Sequence, residues 1–493
     1  MKIRPTISRI RLLASIPFAV LTPMLFASKA IAQVEAPAKA PSKAPNILLV
    51  LSDDQSARFV GCYGDSTIRT PNIDGFAREG IRFDRAYVTS PQCVPSRASI
   101  MTGKSPVALD MTRFSAALPA EHISYPELLR SGANYYTGIC GRTFHLDGPG
   151  GANMPPETRK VFKEHELATF KNRVDYLRTG DRIQALVQMK EFLDGRPADK
   201  PWFLQVGFND PHRPFDENSV TPPQDPAKLK LPPFMPDTPA LRRDLAQYYD
   251  EVTRLDEDFG RVLKTLDEHG QTSNTLVIFM GDNGAALLRG KGTLYEIGVR
   301  VPLIARWPNV IQAGSSNAIV SGEDLAPTFI QAAGVEVPSN ITGQSFLPLL
   351  RGQAFEPRRF AFSERGAHAS SLPNSTQDFD LGRCAISSTH KLIYNVLWQL
   401  PYTPVDFNSQ PFWKEIKGIQ KEGKLSQQLS ELYFPPARPM FEVYDLQNDP
   451  EELNNLAGKP EVAAIERELK AAMQEKMILD RDYVPLPLRG DKN

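Results

Sequence analysis

The chain has 493 residues, 41% of them hydrophobic and 23% charged, enough to bury one large domain plus a smaller one without disulfides or metals to hold the core. Lysine plus arginine equals aspartate plus glutamate at 57 each, so the formal net charge is zero and no global field draws the protein to nucleic acid or an anionic membrane surface. Any anion must be bound by a local cluster.

In chain order, the first element reads as a targeting segment. Lys2, Arg4, Arg9 and Arg11 form a basic region, LLASIPFAVLTPMLFA an apolar one, and Ala30-Ile31-Ala32 a small-residue cleavage site. The apolar stretch is short, holds two prolines and ends in that cleavage pattern, which argues against a permanent membrane helix. No cysteine stands at the junction for a lipid anchor. Residues 1–32 are therefore expected to be a signal peptide removed on export, to the periplasm or beyond. Residues 33–45, with the run VEAPAKAPSKAP, read as an Ala/Pro/Lys-rich linker. The fold is expected to start near Asn46, and nothing later is long and apolar enough to span a membrane.

Three runs then share one plan. NILLVLSDD ends in Asp53-Asp54, PWFLQVGFNDPH in Asn209-Asp210-Pro211-His212, and TLVIFMGDNG in Asp282-Asn283-Gly284. Each is short and almost continuously apolar, as suits a strand buried on both faces of a parallel sheet. Each stops abruptly in polar, ligand-type residues, and in open α/β sheets sites lie beyond the carboxyl ends of the strands. One such ending is an ordinary loop; three alike point to convergence on one site. Between them, residues 240–270 place Leu241, Leu245, Tyr248, Val252, Leu255, Phe259, Val262 and Leu266 on one helical stripe, with Gly270 just past its end. After about residue 355, FAFSE, HKLIYNV and FEVYDL read as separate strands and residues 460–477 as a closing amphipathic helix. Residues 395–440, rich in Pro, Tyr, Phe and Trp, read as an irregular wrapping segment.

Asp53, Asp54, Asp282 and Asn283 form an all-oxygen set at two strand ends, which suits a hard divalent cation, Ca²⁺ or Mg²⁺. An adjacent Asp pair is ordinarily a solvated turn, but directly after a buried strand its carboxylates need a cation or donors nearby. Arg97, Arg142, His145, His212 and Lys291 occupy comparable places, Lys291 between glycines that let backbone approach an anion. Together they suit a tetrahedral oxyanion beside the cation. His122, His165, His269, His368 and His390 lack such settings and are read as structural. Of the four cysteines, Cys62 (in GCYG) and Cys140 (in GICG) look like packing residues, and Cys384 completes the set. If Cys93 has its own task an odd number remains, which makes disulfides a weak expectation.

The stretch PQCVPSRASIMTG, residues 91–103, gives Cys93 that task. CVPSR followed by Thr102-Gly103 resembles the signature of the type I, formylglycine-dependent sulfatases of the alkaline phosphatase superfamily. NILLVLSDDQ, GCYGDSTIRTPNID, GFNDPHRPF, GDNG and KGTLYEIGVRVPLIARWP are similar to further blocks of that family, in family order, from about Asn46 to the C-terminal helix. The resemblance implies an α/β fold with a large mixed, mostly parallel sheet sandwiched by helices in a catalytic domain at 46–355, and a smaller C-terminal α+β domain at 356–493. It implies that Cys93 is oxidised to formylglycine by a dedicated generating enzyme, and that Asp53, Asp54, residue 93, Asp282 and Asn283 ligate one Ca²⁺. By the same resemblance Arg97 holds the formylglycine hydrate, His145 helps deprotonate it, Arg142 and Lys291 neutralise sulfate oxygens, and His212 protonates the leaving group. An aldehyde hydrate has two hydroxyls: one attacks sulfur, and loss of the other's proton expels sulfate without water attacking a hindered centre.

Family members commonly carry Lys where this chain has Arg142, with one residue before the histidine; the two-residue gap from Arg142 to His145 here is shared by some sulfatases of uronic acids. Arg keeps the charge but changes reach and donor geometry. The second half looks closest to N-sulfoglucosamine sulfohydrolase, mostly in scaffold segments such as PARPMFEVYDLQNDPEELNNLA. The expectation is an exported sulfatase of a sulfated carbohydrate, a polysaccharide or glycosaminoglycan-type saccharide, with O-sulfate favoured over glucosamine N-sulfate because the departure from the pattern lies inside the expected site. The alternatives are a sulfamidase, a phosphodiesterase or phosphonate hydrolase of the same superfamily, and a catalytically silent glycan-binding protein with Cys93 unmodified.

Overall fold

A computed structural model describes residues 44–143, 145–148, 154–369 and 379–487. The expected signal peptide and nearly all of the linker lie outside the described residues. Among those residues no helix is long and apolar enough to cross a membrane.

Eight strands form the principal sheet: β1 (Asn46–Ser52), β2 (Ile81–Tyr87), β3 (Tyr136–Gly141), β4 (Tyr176–Thr179), β5 (Trp202–Gly207), β6 (Thr275–Gly281), β7 (Leu303–Arg306) and β8 (Gly314–Ser321). Their order is β4-β3-β5-β1-β6-β7-β2-β8. Every pairing is parallel except those of β7 with β6 and β2, so the sheet is mixed and mostly parallel, as expected.

The continuous apolar character of β1 follows from its place. Ile47, Leu49 and Leu51 enter one core, shared with Val94 and Met101 of helix Cys93–Thr102, Leu129 of helix Tyr125–Ala133 and Phe329 of helix Leu325–Ala332. Leu48 and Val50 point the other way, into a core with Phe76, Phe192, Leu255 and Phe259 from the helices covering the opposite face. A strand with helices on both sides has no solvent face to alternate toward. The long helix runs from Pro239 to Glu268, and Thr238 accepts from the Leu241 N–H at its start. All eight stripe residues are fully buried. Gly270 follows with φ +62°, the left-handed stop anticipated for it.

The smaller sheet holds β9 (Ala361–Arg365), β10 (Gly382–Ile386), β11 (His390–Asn395) and β12 (Phe441–Asp445), antiparallel throughout in the order β12-β11-β10-β9. Helix Ala463–Leu479 packs Leu469, Met473 and Met477 on Ala385, Leu392 and Val443. Two corrections arise here. Strand β10 was not anticipated, and the segment 395–440 is not irregular throughout. It contains helices Pro411–Lys421 and Gln427–Tyr433, whose Phe412, Trp413 and Tyr433 pack with Leu241 and Leu245 of the long helix. The small sheet is tied to the large one by the Glu364 N–H donating to the Thr89 carbonyl at 2.8 Å. All four cysteines are unpaired.

Candidate active site

Strands β3, β5, β1 and β6 lie side by side and parallel, so their polar endings meet at one edge of the sheet. Arg142 follows β3, His212 follows β5, Asp53 and Asp54 follow β1, and Asp282 and Asn283 follow β6. The convergence expected of three runs is met by four. Arg142 is set by a tight approach of two strands: its N–H donates to the Gly207 carbonyl at 2.8 Å, and a Cβ on Gly207 would stand 2.7 Å from the Arg142 carbonyl oxygen.

Cys93 is the first residue of helix Cys93–Thr102, which is buried along its whole length. Pro95 sits in the first turn, where a missing N–H costs nothing, and Gly103 ends the helix at φ +71°. The Cys93 Sγ lies 3.5 Å from Asp53 Oδ1 and 3.8 Å from Asp54 Oδ1. Burial pushes the thiol well above its ordinary pKa, and Asp53, Asp282 and Asp54 push it further against the opposing pull of Lys291. One turn on, Arg97 is fully buried and spans two acids: Nε donates to Asp282 Oδ2 at 2.8 Å and a terminal nitrogen to Asp53 Oδ2 at 3.0 Å. Its other terminal nitrogen reaches the Arg142 carbonyl at 3.4 Å. Ser96 Oγ donates to the Asp282 carbonyl.

The oxygen set is tightly knit. Asp282 Oδ1 accepts the N–H groups of Asp54 at 3.0 Å and Asn283 at 2.7 Å. Asn283 Nδ2 donates to Asp54 Oδ1 at 2.8 Å. Asn283 Oδ1 is buried with no hydrogen-bond partner. The ligand atoms of Asp53, Asp54, Cys93 and His212 all lie within 4.8 Å of one another. Burial raises Asp54 and Asp282 to about 6, with neighbouring carboxylates adding to the rise against Lys291 and Arg97. Asp53 is held far below the usual carboxylate range, because Arg142, His212 and Arg97 together overcome its burial. Crowded, buried, raised carboxylates beside an orphaned amide oxygen fit a hard cation, whose charge would relieve both defects.

The basic groups stand around this set. Arg142 ion-pairs with Asp53 through Nε. Lys291 Nζ lies 2.9 Å from Asp54 Oδ1. The glycines beside Lys291 serve the turn rather than the approach of an anion. The N–H groups of Gly290, Lys291 and Gly292 are spent on the carbonyls of Leu287, Ala285 and Pro91, and a Cβ on Gly290 would strike the Ala285 carbonyl oxygen. His145 is buried, its Nδ1 has no partner, and its ring stands edge-on to Phe114 at 4.9 Å. Burial and then Arg142 push its pKa well below the ordinary histidine value, so the ring is neutral. His212 gives Nδ1 to the Arg213 carbonyl, leaving Nε2 3.7 Å from Asp54 Oδ2. Burial and Lys291 lower His212 to about 4, against Asp53 and Asp406. Asp210, at the same strand end, turns to Arg254 of the long helix at 2.7 Å.

Two further residues join the site that the sequence did not single out. Asp406 Oδ2 lies 2.6 Å from Lys291 Nζ and 3.8 Å from His212 Nε2, and His368 Nε2 faces Asp406 Oδ1 at 3.6 Å. Asp406 stays ionised far below the usual range, since Lys291, His368 and His212 outweigh its burial. Its local sequence, TPVDFNSQ, has the composition of any turn. His368, read as structural from the sequence alone, faces the site through Asp406 instead.

Residues 45–335 match the family model described as Sulfatase. The chain belongs to the sulfatase family. This sulfatase is 29% identical over 469 residues to human N-sulphoglucosamine sulphohydrolase, covering 85% of this chain and 87% of the relative. It is 26% identical over 481 residues to an ulvan-active sulfatase of Formosa agariphila, covering 90% and 76%. A solved structure described as a complex with its substrate D-glucosamine-2-N,6-O-disulfate superposes with a TM-score of 0.64 at 22% identity, covering 90% of this chain and 99% of that one, a likeness of fold. The sulfatase is a sulfuric ester hydrolase with an α/β fold and a smaller C-terminal part, as expected.

Proposed function

We propose that this sulfatase is exported, that Cys93 is converted to formylglycine by a generating enzyme, and that with one Ca²⁺ it removes sulfate from a sulfated carbohydrate, an O-sulfated sugar before glucosamine N-sulfate. The observation that carries this is the setting of Cys93. Its Sγ is fully buried at the start of its helix, 3.5 Å from Asp53 Oδ1 and 3.8 Å from Asp54 Oδ1, so residue 93 faces the candidate cation ligands directly, within the motif whose resemblance implies the modification. The relatives' names, ulvan-active sulfatase and N-sulphoglucosamine sulphohydrolase, support a saccharide substrate. The division of labour we adopt is a catalytic domain at 46–355 and a C-terminal subdomain at 356–493.

The roles we assign are those the resemblance implies, and the geometry supports them. Hydrated formylglycine would supply two hydroxyls on one carbon: one would attack sulfur as the bond from sulfur to the sugar atom breaks, and deprotonation of the other would reform the aldehyde as its C–O bond to sulfate breaks. Asp53, Asp54, Asp282, Asn283 and residue 93 would hold the cation, which would supply positive charge beside the sulfate and the hydroxyls of residue 93. Arg97 braces Asp53 and Asp282 and so fixes the carboxylates around residue 93. Lys291 and Arg142 present fixed positive charge to the sulfate oxygens. His145, neutral and with a free ring nitrogen, takes a proton from residue 93. His212 gives one from Nε2 to the leaving atom. A sulfate bound against Lys291 and Arg142 brings negative charge to His212 and lifts its lowered pKa toward that task.

A general acid matters for a poor leaving group and little for a good one. His212→Ala is therefore expected to lose roughly 10²-fold or more in kcat/KM on a sulfated sugar and far less on an aryl sulfate. Equal losses on both would make His212 a substrate-positioning residue. The substrate itself is read by sulfate release from N-sulfated glucosamine and from O-sulfated hexoses and uronates under one condition. A higher kcat/KM on the N-sulfate would overturn the O-sulfate choice.

A further inference from the structure

Asp53, Asp54 and Asp282 have side chains with no exposure, whereas the Asp406 side chain is 28% exposed. It is thus the carboxylate that an incoming ligand meets, 2.6 Å from Lys291 Nζ and 3.8 Å from His212 Nε2. A group recognised there is the part of the substrate next to the scissile sulfate, since those two residues are assigned to sulfate and leaving atom.

Asp406 is also held in place by a chain that begins beside the nucleophile. Gln92, which precedes Cys93, accepts the Gly366 N–H on Oε1 at 3.2 Å, and this fixes its amide so that Nε2 donates to His368 Nδ1 at 3.0 Å. His368 therefore carries its proton on Nε2, the nitrogen that faces Asp406 Oδ1. Phe114 packs against both His368 and His145, with ring centroids 4.5 and 4.9 Å away. Gln92 and Phe114 are buried and back His368 from behind, so His368 and Asp406 are the partly exposed members of this group, and Asp406 carries its one negative charge.

We propose that Asp406 is a specificity-determining residue that selects neutral or amino sugars at the sulfated ring and rejects rings carrying a carboxylate or a second anionic group beside the scissile sulfate. The inference rests on the saccharide reading above and narrows it. A fixed carboxylate repels a second one placed next to it, and accepts hydrogen bonds from ring hydroxyl or amino groups. The two-residue gap between Arg142 and His145, shared with some sulfatases of uronic acids, does not outweigh a carboxylate at the mouth.

The test is competition against aryl sulfate hydrolysis by three probes: glucose and glucuronic acid sulfated at the same hydroxyl, and inorganic sulfate. The first two differ only in the carboxylate. Inorganic sulfate senses Lys291 but has no ring, so its inhibition constant corrects for any change in Lys291 when its ion pair is removed. Wild-type enzyme is expected to bind the glucose ester at least about tenfold more tightly than the glucuronate, and Asp406→Asn to erase most of that ratio. Asparagine suits the left-handed backbone at residue 406, φ +64°, so the variant keeps the loop. His368→Gln, which loosens Asp406 without discharging it, should narrow the ratio by less. A ratio unmoved by Asp406→Asn, with all three constants shifting together, would make Asp406 only a brace for Lys291 and overturn the inference alone. Inhibition by neither sugar ester, in an enzyme that still cleaves the aryl sulfate, would overturn the saccharide reading and this inference with it.

Discussion

Cys93→Ser and Cys93→Ala are expected to lower sulfate release by roughly 10³-fold or more, the scale of loss when the nucleophile leaves an otherwise assembled site. Neither should disturb the fold, because the side chain is small and the helix that carries it is held by Val94, Ile100 and Met101 in the core and by Gly103 at its end. The physical reason for the loss is what residue 93 must supply. Without a cation, three buried carboxylates would repel a thiolate there; with the proposed cation bound that repulsion is relieved, and what a thiol still lacks is the second hydroxyl that expels sulfate. Serine lacks it too: once sulfated, it would need a second nucleophile to reach a hindered sulfur. Peptide mass spectrometry of active wild-type enzyme should accordingly show residue 93 without sulfur, as the aldehyde or its hydrate. Full activity from a preparation in which every Cys93 is still a thiol would end the formylglycine reading. The same result would remove the reason for a generating enzyme as a partner.

Much of this arrangement was legible from residues alone, and the reason is topological. Asp53, His212 and Asp282 each follow a run whose continuous apolar character announces a doubly covered strand, and strands of that kind lie in parallel with their ends together. The order β5-β1-β6 needed only to be adjacent for the reading to hold, and it is. The long helix was equally plain, because Leu241 to Leu266 repeat with one period over seven turns. Strand β10 was not, since GRCAI is neither alternating nor continuously apolar: Gly382 and Arg383 break the run, although all five residues are buried. Asp406 and His368 were hidden for a different reason. They lie on connecting segments of the C-terminal part, where no periodicity marks a direction, and they reach the site only through tertiary packing. Lys291 was legible as a residue but misread in its setting: its glycines fold the chain against Ala285 and Pro91, and only its side chain turns to the site.

Removal of divalent cations should abolish turnover, and Ca²⁺ should restore it and raise the thermal midpoint. A ligand bound only by the folded state stabilises it by about 2.7 kcal/mol at a concentration 100 times its Kd. Here that gain would add to relief of the crowding among Asp53, Asp54 and Asp282. Asp282 is the residue on which to test this, but alanine there does two things. It removes a ligand, and it strips the acceptors of the Asp54 and Asn283 N–H groups and one carboxylate partner of a fully buried Arg97. Breaking such a pair costs about 3–5 kcal/mol by itself, so lost activity in Asp282→Ala would not separate metal from fold. Asp282→Asn keeps the shape and an acceptor oxygen for the Asp54 and Asn283 N–H groups while discharging the ligand. It leaves Arg97 paired with Asp53 alone, so its midpoint without Ca²⁺ is expected to fall, and the response to added Ca²⁺ is what reads the metal. The variant is expected to fold, to lose activity by roughly 10²-fold or more, and to show a smaller rise in thermal midpoint with Ca²⁺ than the wild type. A metal-free preparation that retains full turnover, or an Asp282→Asn enzyme whose midpoint responds to Ca²⁺ as the wild type does, would exclude the oxygen set as the cation site. The basic groups would then have to polarise the sulfate unaided, and Arg97, with donors already committed to Asp53 and Asp282, has little left to offer it.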